Sequence, residues 1–181
     1  MCTCADTKPS FSERPCSVTE FIHQRHQAPT QLSSPRKVIL AVPEMRSGVN
    51  LSRIMRAAGC LGITQLIVEG NRKADPKISR GAEEHLSIRQ CRTLEPVIKK
   101  LADDNYPVIG LEQTTGSHNL FTFDFPKKCI LLIGHERTGI PELQLKLCDA
   151  MVEIPVFGFP DSYNASTAAI MAMYEYCKQH S

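Results

Sequence analysis

The 181-residue sequence contains no tryptophan, and aromatic residues make up only 6% of it. No apolar run approaches the roughly 18 residues that cross a bilayer. The N-terminus, MCTCADTKPSFSERPCS, lacks the apolar core of a secretion signal. These absences argue against a membrane span and against export. With 42% hydrophobic and 22% charged residues, we expect a soluble, cytoplasmic globular protein that has no membrane partner.

Signatures of metal and nucleotide binding are also missing. The sequence has no Cys-x-x-Cys pair, no GxGxxG and no GxxxxGK[ST]. We therefore expect no metal site, no dinucleotide site and no phosphate-binding loop. Of the eight cysteines, five lie in apolar or mixed segments and are expected to be reduced core thiols. These five are Cys60, Cys91, Cys129, Cys148 and Cys177.

Composition divides the chain near residue 35. Residues 1–35 are rich in Ser, Pro, Thr and Gln and are expected to form an N-terminal tail or arm, where only SVTEFIHQRH has room for one short helix. Across residues 36–181, unbroken apolar runs such as KVILAV and CILLIG alternate with segments of helical period. This alternation predicts one α/β domain with a mainly parallel sheet and helices on both faces. Ligands of such sheets bind beyond the carboxyl ends of the strands.

The first predicted helix, NLSRIMRAAGCLGI, has a basic face. Its apolar stripe consists of Leu51, Ile54, Met55 and Ala58. Asn50, Arg53 and Arg56 fall on the other side. Two arginines on a helix are most often a solvated flank. Here the helix follows a strand end, and the planar guanidinium is suited to phosphate.

A five-residue polar turn follows the predicted strand CILLIG and is bracketed by Gly134 and Gly139 in LLIGHERTGIPE. Glycines let the backbone approach a ligand closely. Glu136 is either a plain loop carboxylate, a partner of Arg137 or of an arginine on the first helix, or a site residue. His135 is a candidate general base, although a single histidine without a visible partner is more often structural.

The segment IPVFGFPDSYNASTAAIMAMYEY places turn residues and small polar side chains before an apolar helix. Ser162 and Asn164 are both natural N-cap residues, so capping explains one of them but not both. The helix has small residues on one side, and Ile170, Met171, Tyr174 and Cys177 on the other. A helix that is apolar all round is buried on all sides. We therefore expect it to contact the sheet and a second subunit.

Together these three segments resemble the signature of the SPOUT methyltransferases, within them the TrmH/SpoU group of RNA ribose 2'-O-methyltransferases. The matching features are Asn50 followed six residues later by Arg56, the Gly-x-Glu turn with Glu136, and the Ile-Pro strand end leading to Ser162-x-Asn164. The resemblance runs from about residue 37 to 178. It implies an α/β fold with a deep C-terminal trefoil knot, an exception to the unknotted rule. It also implies a homodimer that binds S-adenosylmethionine.

On this resemblance the cofactor contacts come from three loops. They are Leu111, Glu112, Gln113, Thr114, Ile133, Gly134, His135, Glu136, Gly139, Ile154, Val156, Ser162, Tyr163, Asn164 and Ala165. Tyr163 stands where the group usually has Leu, and Val156 where Met is frequent. Tyr163 either narrows the cofactor pocket, stacks on a base, or fills space with its hydroxyl hydrogen-bonded.

The resemblance also implies roles in catalysis and in RNA binding. The expected catalytic residues are Arg56, Asn50, Glu136, Ser162 and Asn164. The expected RNA-binding residues are Arg53, Arg56, Arg72, Lys73, Lys77 and Arg80, helped by Arg25, Arg36 and Lys37 near the tail. The net charge of +2 is modest, so RNA affinity depends on a local basic patch.

The favoured substrate is tRNA, with a D-loop guanosine suggested by VIGLEQT and GHERTGIPE, which are similar to tRNA members of the group. Another tRNA position and ribosomal RNA remain alternatives. A non-catalytic RNA-binding module is disfavoured because all five expected catalytic residues are present. A nucleotide-binding regulator is disfavoured because no phosphate loop is present.

Overall fold

The computed structural model describes residues 22–23 and 27–181. Residues 22–23 and 27–31 have no regular secondary structure, and Leu32–Ser181 form a separate folded unit. The short helix considered within residues 17–26 falls outside the described residues, apart from Ile22 and His23.

The folded unit contains seven strands and five α-helices in the described part of the chain. The strands are β1 (Lys37–Val42), β2 (Gln65–Glu69), β3 (Ser87–Cys91), β4 (Val108–Leu111), β5 (His118–Asn119), β6 (Lys128–Ile133) and β7 (Ala150–Glu153). The helices are α1 (Gly48–Cys60), α2 (Pro76–Ser79), α3 (Glu95–Asp103), α4 (Glu142–Leu145) and α5 (Ala165–Gln179). A 3₁₀ turn spans Ala82–His85.

The seven strands form one sheet in the order β3-β2-β1-β6-β4-β7-β5, and every neighbouring pair is parallel. Because the strands are parallel, their carboxyl ends lie at one edge of the sheet. The loops after β1, β4, β6 and β7 therefore emerge on the same side. This edge is where the sequence analysis expects a ligand.

Helices cover both faces of the sheet, which confirms the predicted α/β class. One core cluster packs α1 and α5 on the sheet around Leu40, Ile54 and Met173. The other packs α3 on the opposite face through Val97 and Ile98, with Leu145 at the end of α4 beside them. The apolar stripe predicted on α1 is buried, and α5 spans the residues predicted for it.

Two edge strands were not predicted. β3, SIRQC, lies at one edge of the sheet and has only partly buried or exposed side chains, so it has no apolar run. β5 has two residues, His118 and Asn119, and forms the other edge. A strand with a single neighbour needs little apolar character, so hydrophobic periodicity does not detect it.

Two cysteines lie on the other side of their helices from the one expected. Cys60 is exposed because, at 100° per residue, it is about 200° away from buried Ala58 on α1. Cys177 is buried because it lies four residues beyond Met173, on the face of α5 that packs on the sheet. Cys129 is also buried, which raises the pKa of its thiol to about 12.

Arg36 is a structural residue. Its guanidinium donates to the carbonyl oxygens of Leu61 at 2.7 Å, His180 at 3.1 Å and Cys177 at 3.3 Å. It therefore satisfies carbonyl groups at the carboxyl ends of α1 and α5. These contacts give Arg36 a different role from the RNA binding considered for it.

Among the described helices, none is long and apolar enough to cross a membrane. Within residues 22–23 and 27–181, no cluster of three His, Cys, Asp or Glu side chains could hold a metal ion.

Candidate functional site

Two adjoining clefts lie at the carboxyl edge of the sheet, where the loops after β4, β6 and β7 meet. They have volumes of about 90 and 240 Å³. Both are lined by Leu111, Glu112, Ser162, Tyr163 and Ala168. The first adds Gln113, Val152, Glu153 and Ile154, and the second adds Ile133, Gly134, His135, Glu136, Arg137, Gly139 and Ala165. Twelve of the fifteen expected cofactor residues therefore line one connected region.

The remaining three expected cofactor residues lie elsewhere. Thr114 does not line either cleft, and its amide and hydroxyl contact the Ser117 hydroxyl at 2.9 and 2.8 Å. Val156 is half-buried and also lies outside both linings. Asn164 caps α5, because its Oδ1 accepts a hydrogen bond from the Ser166 amide at 3.0 Å. Of the two N-cap candidates, Asn164 is the cap, while Ser162 faces the cleft.

Two glycines shape the wall of the larger cleft. The turn closes through paired backbone hydrogen bonds between His135 and Gly139 of 3.1 and 3.0 Å, and Gly139 has φ of +63°. The Glu112 carboxylate lies against this turn and accepts a hydrogen bond from the Ile140 amide at 3.2 Å. A Cβ atom at Gly134 would lie 2.6 Å from that carboxylate. Glycine is therefore required where the turn and Glu112 meet.

Glu136 connects this turn to the start of α1. Its carboxylate accepts hydrogen bonds from the Arg46 amide at 2.7 Å, the Ser47 amide at 3.1 Å and the Asn50 side-chain amide at 2.7 Å. Pairing with Arg137 or with an arginine of α1 is not observed among the described residues. Glu136 instead satisfies free N–H groups where the helix begins, an arrangement that the helix dipole also favours.

The network continues from Asn50 to α5. Asn50 is buried, with 6% of its surface exposed, and its Oδ1 lies 3.3 Å from the Ser166 hydroxyl. The same hydroxyl is 2.7 Å from Oδ1 of Asn164. Ser166 has one hydroxyl proton, so it donates to one of these two acceptors at a time. Glu136, Asn50, Ser166 and Asn164 thus connect all three predicted segments.

The charge state of Glu136 follows from this environment. Burial acts to raise the pKa of its carboxyl group, but the hydrogen bonds from Asn50 and the Arg46 and Ser47 amides outweigh burial, and nearby His135 adds to them. The net effect lowers the pKa below its ordinary value. Glu136 is therefore ionised at neutral pH and acts only as an acceptor.

His135 is tied to its own turn. Its Nδ1 lies 3.0 Å from the Thr138 hydroxyl, and its Nε2 lies 3.9 Å from Glu136. These local contacts favour the structural role that the sequence analysis held open for it over that of a general base.

The basic residues are exposed and separate from the clefts. Arg53 and Arg56 point outward from α1, and Arg56 lines neither cleft of its own chain. Arg72, Lys73, Lys77 and Arg80 are exposed on the segment that follows β2. The structure therefore groups Asn50, Glu136, Ser162 and Asn164 at one edge but does not bring Arg56 into the same cleft.

Ser166 was missed by sequence reasoning, although it lies two residues after Asn164. A serine at the second helical position commonly contributes only to the helix start, so its type carried no functional signal. Its complete burial next to Asn50 gives it a linking role.

The sequence of the folded unit matches a known family. Residues 37–174, more than half of the chain, match the SpoU rRNA Methylase family. The chain belongs to this family. The match includes all five expected catalytic residues and the cleft-forming loops.

Individual SpoU family relatives and related structures agree with this assignment. The tRNA (guanosine(18)-2'-O)-methyltransferase TARBP1 of Mus musculus is 30% identical over 149 residues, which cover 79% of this chain and 9% of the mouse protein. The SpoU methyltransferase AviRb from Streptomyces viridochromogenes, solved in complex with AdoMet, is 29% identical with a TM-score of 0.71. That match covers 81% of this chain and 62% of AviRb. The chain therefore spans less than two thirds of either relative.

A third comparison concerns the fold alone. The A. aeolicus TrmH/SpoU tRNA modifying enzyme has a TM-score of 0.76 at 20% identity, covering 80% of this chain and 76% of that chain. The parallel sheet with helices on both faces is therefore the fold of SpoU family members.

Proposed function

We propose that this protein is an RNA methyltransferase that transfers the methyl group of S-adenosylmethionine to a ribose 2'-hydroxyl, most favourably in tRNA. The observation that carries the proposal is the hydrogen-bond network of Glu136, Asn50, Ser166 and Asn164 at the edge of a connected cleft. Membership of the SpoU family and the AdoMet complex of AviRb support the choice of cofactor.

The clefts fit S-adenosylmethionine chemically. Leu111 and Ile154 offer apolar surface for an adenine ring, and the loop backbones offer hydrogen-bonding groups. The Glu112 carboxylate lines both clefts and is an acceptor for ammonium, amino or hydroxyl groups. When bound, the cofactor supplies an electrophilic methyl group on a positively charged sulfur. Gly134 and Gly139 allow the turn to approach it closely.

The ribose must lie in line with the methyl group, because a displacement at carbon requires the attacker opposite the leaving group. Holding the two reacting atoms about 3 Å apart would supply much of the rate. Arg56 does not lose its proton readily. We assign it to grip the adjacent phosphate with two parallel hydrogen bonds and to orient the hydroxyl, whose proton leaves through phosphate or water.

A homodimer would bring Arg56 of one chain to the clefts of another. The exposure of Arg56 and its separation from its own clefts support this arrangement. Val49 on α1 and Met171 and Tyr174 on α5 are apolar side chains with 41%, 37% and 63% exposure. We assign this surface to the dimer contact. We also retain the expectation of a deep trefoil knot in the C-terminal part of the domain.

The choice of tRNA is supported by the mouse relative, whose name gives it a tRNA guanosine as substrate. The test is incubation with S-adenosylmethionine labelled in its methyl group and total RNA, followed by mapping of labelled ribose. We expect label on a tRNA ribose 2'-oxygen. Label on ribosomal RNA would replace the substrate, and cofactor binding without transfer would favour the non-catalytic module.

The role of Arg56 has its own test. Arg56→Lys keeps the charge but loses the planar pair of donors, so we expect turnover to fall at least tenfold with cofactor affinity unchanged. Lys100→Arg, on the exposed side of α3, is the matched control. Retention of most of the turnover by Arg56→Lys would contradict the bidentate role.

A further inference from the structure

A second concave site lies away from the clefts, between α1, the end of β2, the segment after β2 and β3. Its volume is about 270 Å³, and Met55, Val68 and Ile88 form apolar walls. None of its lining residues lines either cleft. We call it the Glu83 pocket, after the one acidic side chain in its wall.

The carboxylate of Glu83 is incompletely satisfied. Its Oε2 atom is buried and has no hydrogen-bond partner among the described residues. A contact with the Ser79 hydroxyl and with its own backbone lowers the pKa of the carboxyl group, although burial opposes this, so the group is ionised at neutral pH. A buried acceptor without a partner is costly and rare in folded proteins. The pocket therefore contains an acceptor in need of a donor.

The mouth of the pocket is basic. Arg72 and Lys73 line it and are exposed. Their segment is held against α1, because the Asp75 amide donates to the Ser52 hydroxyl at 2.8 Å. A Cβ atom at Gly48 would lie only 3.7 Å from the Lys73 carbonyl oxygen. The two cations are therefore placed by packing at the rim, with the carboxylate behind them.

We propose that the Glu83 pocket binds a guanine nucleotide, with the base inside and its phosphate at the mouth. Guanine carries two adjacent N–H donors on its Watson–Crick edge, and a carboxylate is a two-oxygen acceptor that matches them. Uracil has one such donor, between two acceptors. The apolar walls suit the faces of the ring, and Arg72 and Lys73 suit the phosphate.

Other ligands fit less well. A free anion would meet the negative charge of Glu83, and a metal ion would have one carboxylate and two neighbouring cations. A purely apolar ligand would leave the Glu83 oxygen without a donor. That the nucleotide comes from RNA, as one that flanks the methylated residue, rests on the proposed function.

The first test does not depend on methyl transfer. The protein is labelled with ¹³C at the methionine methyl groups and titrated with GMP, AMP, CMP and UMP, observing Met55 by NMR. We expect a saturable shift of the Met55 methyl signal with GMP, at least about tenfold weaker binding of the other three nucleotides, and no shift of buried Met45 or Met173. No response of Met55 to GMP, or equal responses to all four nucleotides, would overturn the proposal.

The matched variants are Glu83→Gln and Glu84→Gln, two neighbours in the same 3₁₀ turn, of which Glu84 is exposed. We expect Glu83→Gln to weaken GMP binding at least about tenfold, because an amide replaces one acceptor by a donor, and Glu84→Gln to leave it unchanged. An unchanged Met55 signal in the free Glu83→Gln variant shows that the pocket is intact. Equal affinity of the two variants would refute the role of Glu83.

The second test addresses the RNA. With a methylated RNA substrate, we expect Glu83→Gln to raise KM severalfold and leave kcat nearly unchanged. If GMP binding depends on Glu83 but KM does not change, the pocket takes a free guanine nucleotide, and its assignment to RNA is wrong. If the wild-type protein transfers no methyl group while GMP still binds through Glu83, the proposed function fails and the pocket stands.

Discussion

Glu136 shows how a residue with several plausible partners acquires one role. Arg137 is its sequence neighbour, yet the carboxylate contacts two backbone amides and Asn50. Those amides belong to the start of α1, where N–H groups lack partners within the helix. A fixed carboxylate satisfies them at less entropic cost than a long arginine side chain. Glu136 therefore orders the beginning of α1 as well as the cleft wall.

Replacing Glu136 by Gln should destabilise the protein. The new amide group would face N–H donors, which leaves at least one of them unpaired. We expect the free energy of unfolding to fall by about 1–3 kcal/mol at pH 7, measured by urea denaturation. Glu142→Gln is the control, because Glu142 is exposed and its ion pair with Lys146 should contribute little. An equal loss in both variants would contradict the role given to Glu136.

The same comparison should depend on pH. Folding lowers the pKa of Glu136, so its stabilisation is complete above the unfolded pKa, near 4.3, and is lost as pH falls through the lower folded value. We expect the difference in unfolding free energy between the wild type and Glu136→Gln to be full at pH 7 and to shrink below about pH 4. A difference that stays constant with pH would show that ionisation of Glu136 is unimportant.

At the scale of elements, the start of α5 separates two functions that its sequence combines. Asn164 caps the helix, and Ser162 lines both clefts. The buried face of α5 then begins at Ser166 and continues through Ala169, Ala172, Met173 and Tyr176. The helix start is therefore held by a side chain that also belongs to the network at the site.

Substitutions at these two positions should have different effects. Asn164→Ala removes the cap and should lower the free energy of unfolding by about 1 kcal/mol, while Asn164→Asp should keep the cap. Ser162→Ala should leave stability within about 0.5 kcal/mol but weaken cofactor binding. Urea denaturation and calorimetric titration with S-adenosylmethionine measure the two effects. A stability loss for Ser162→Ala as large as that for Asn164→Ala would reverse the assignment.

Arg36 joins α1 and α5 at their carboxyl ends. Arg36→Lys keeps the charge but offers a single ammonium to carbonyl oxygens that the guanidinium reaches from separate nitrogens. We expect a loss of about 1–2 kcal/mol in the free energy of unfolding. Lys37→Arg, at the exposed adjacent position, should change it little. Unchanged stability of Arg36→Lys, together with weaker RNA binding, would restore the RNA role considered for this residue.

At the scale of the whole molecule, the sheet order brings distant segments to one edge. β6 lies between β1 and β4, so the turn with Glu136 sits beside the loop after β1 and the loop after β4. Residues 50, 112, 136 and 164 meet for this reason, although long stretches of chain separate them. The carboxyl edge of a parallel sheet gathers loops in this way.

The proposed dimer surface makes a prediction at this scale. Tyr174→Glu places a charge among apolar side chains on α5, so we expect the protein to become a monomer and to lose methyl transfer. Light scattering after gel filtration measures the mass. Leu143→Glu is the control, because Leu143 has the same 63% exposure and lies on α4. A monomeric wild-type protein, or a Tyr174→Glu variant that stays dimeric, would contradict this surface.

The sequence alone determined the α/β class, the principal strands and helices, and the three polar segments, because apolar runs and helical period record burial directly. It left the two edge strands undetected, since strands with one neighbour need few apolar residues. The partners of Glu136, the division of roles between Ser162 and Asn164, the use of Arg36 and the incomplete satisfaction of Glu83 were decided only by the tertiary structure. Each depends on contacts between segments far apart in the chain, and local patterns do not encode which of several polar neighbours a folded side chain will reach.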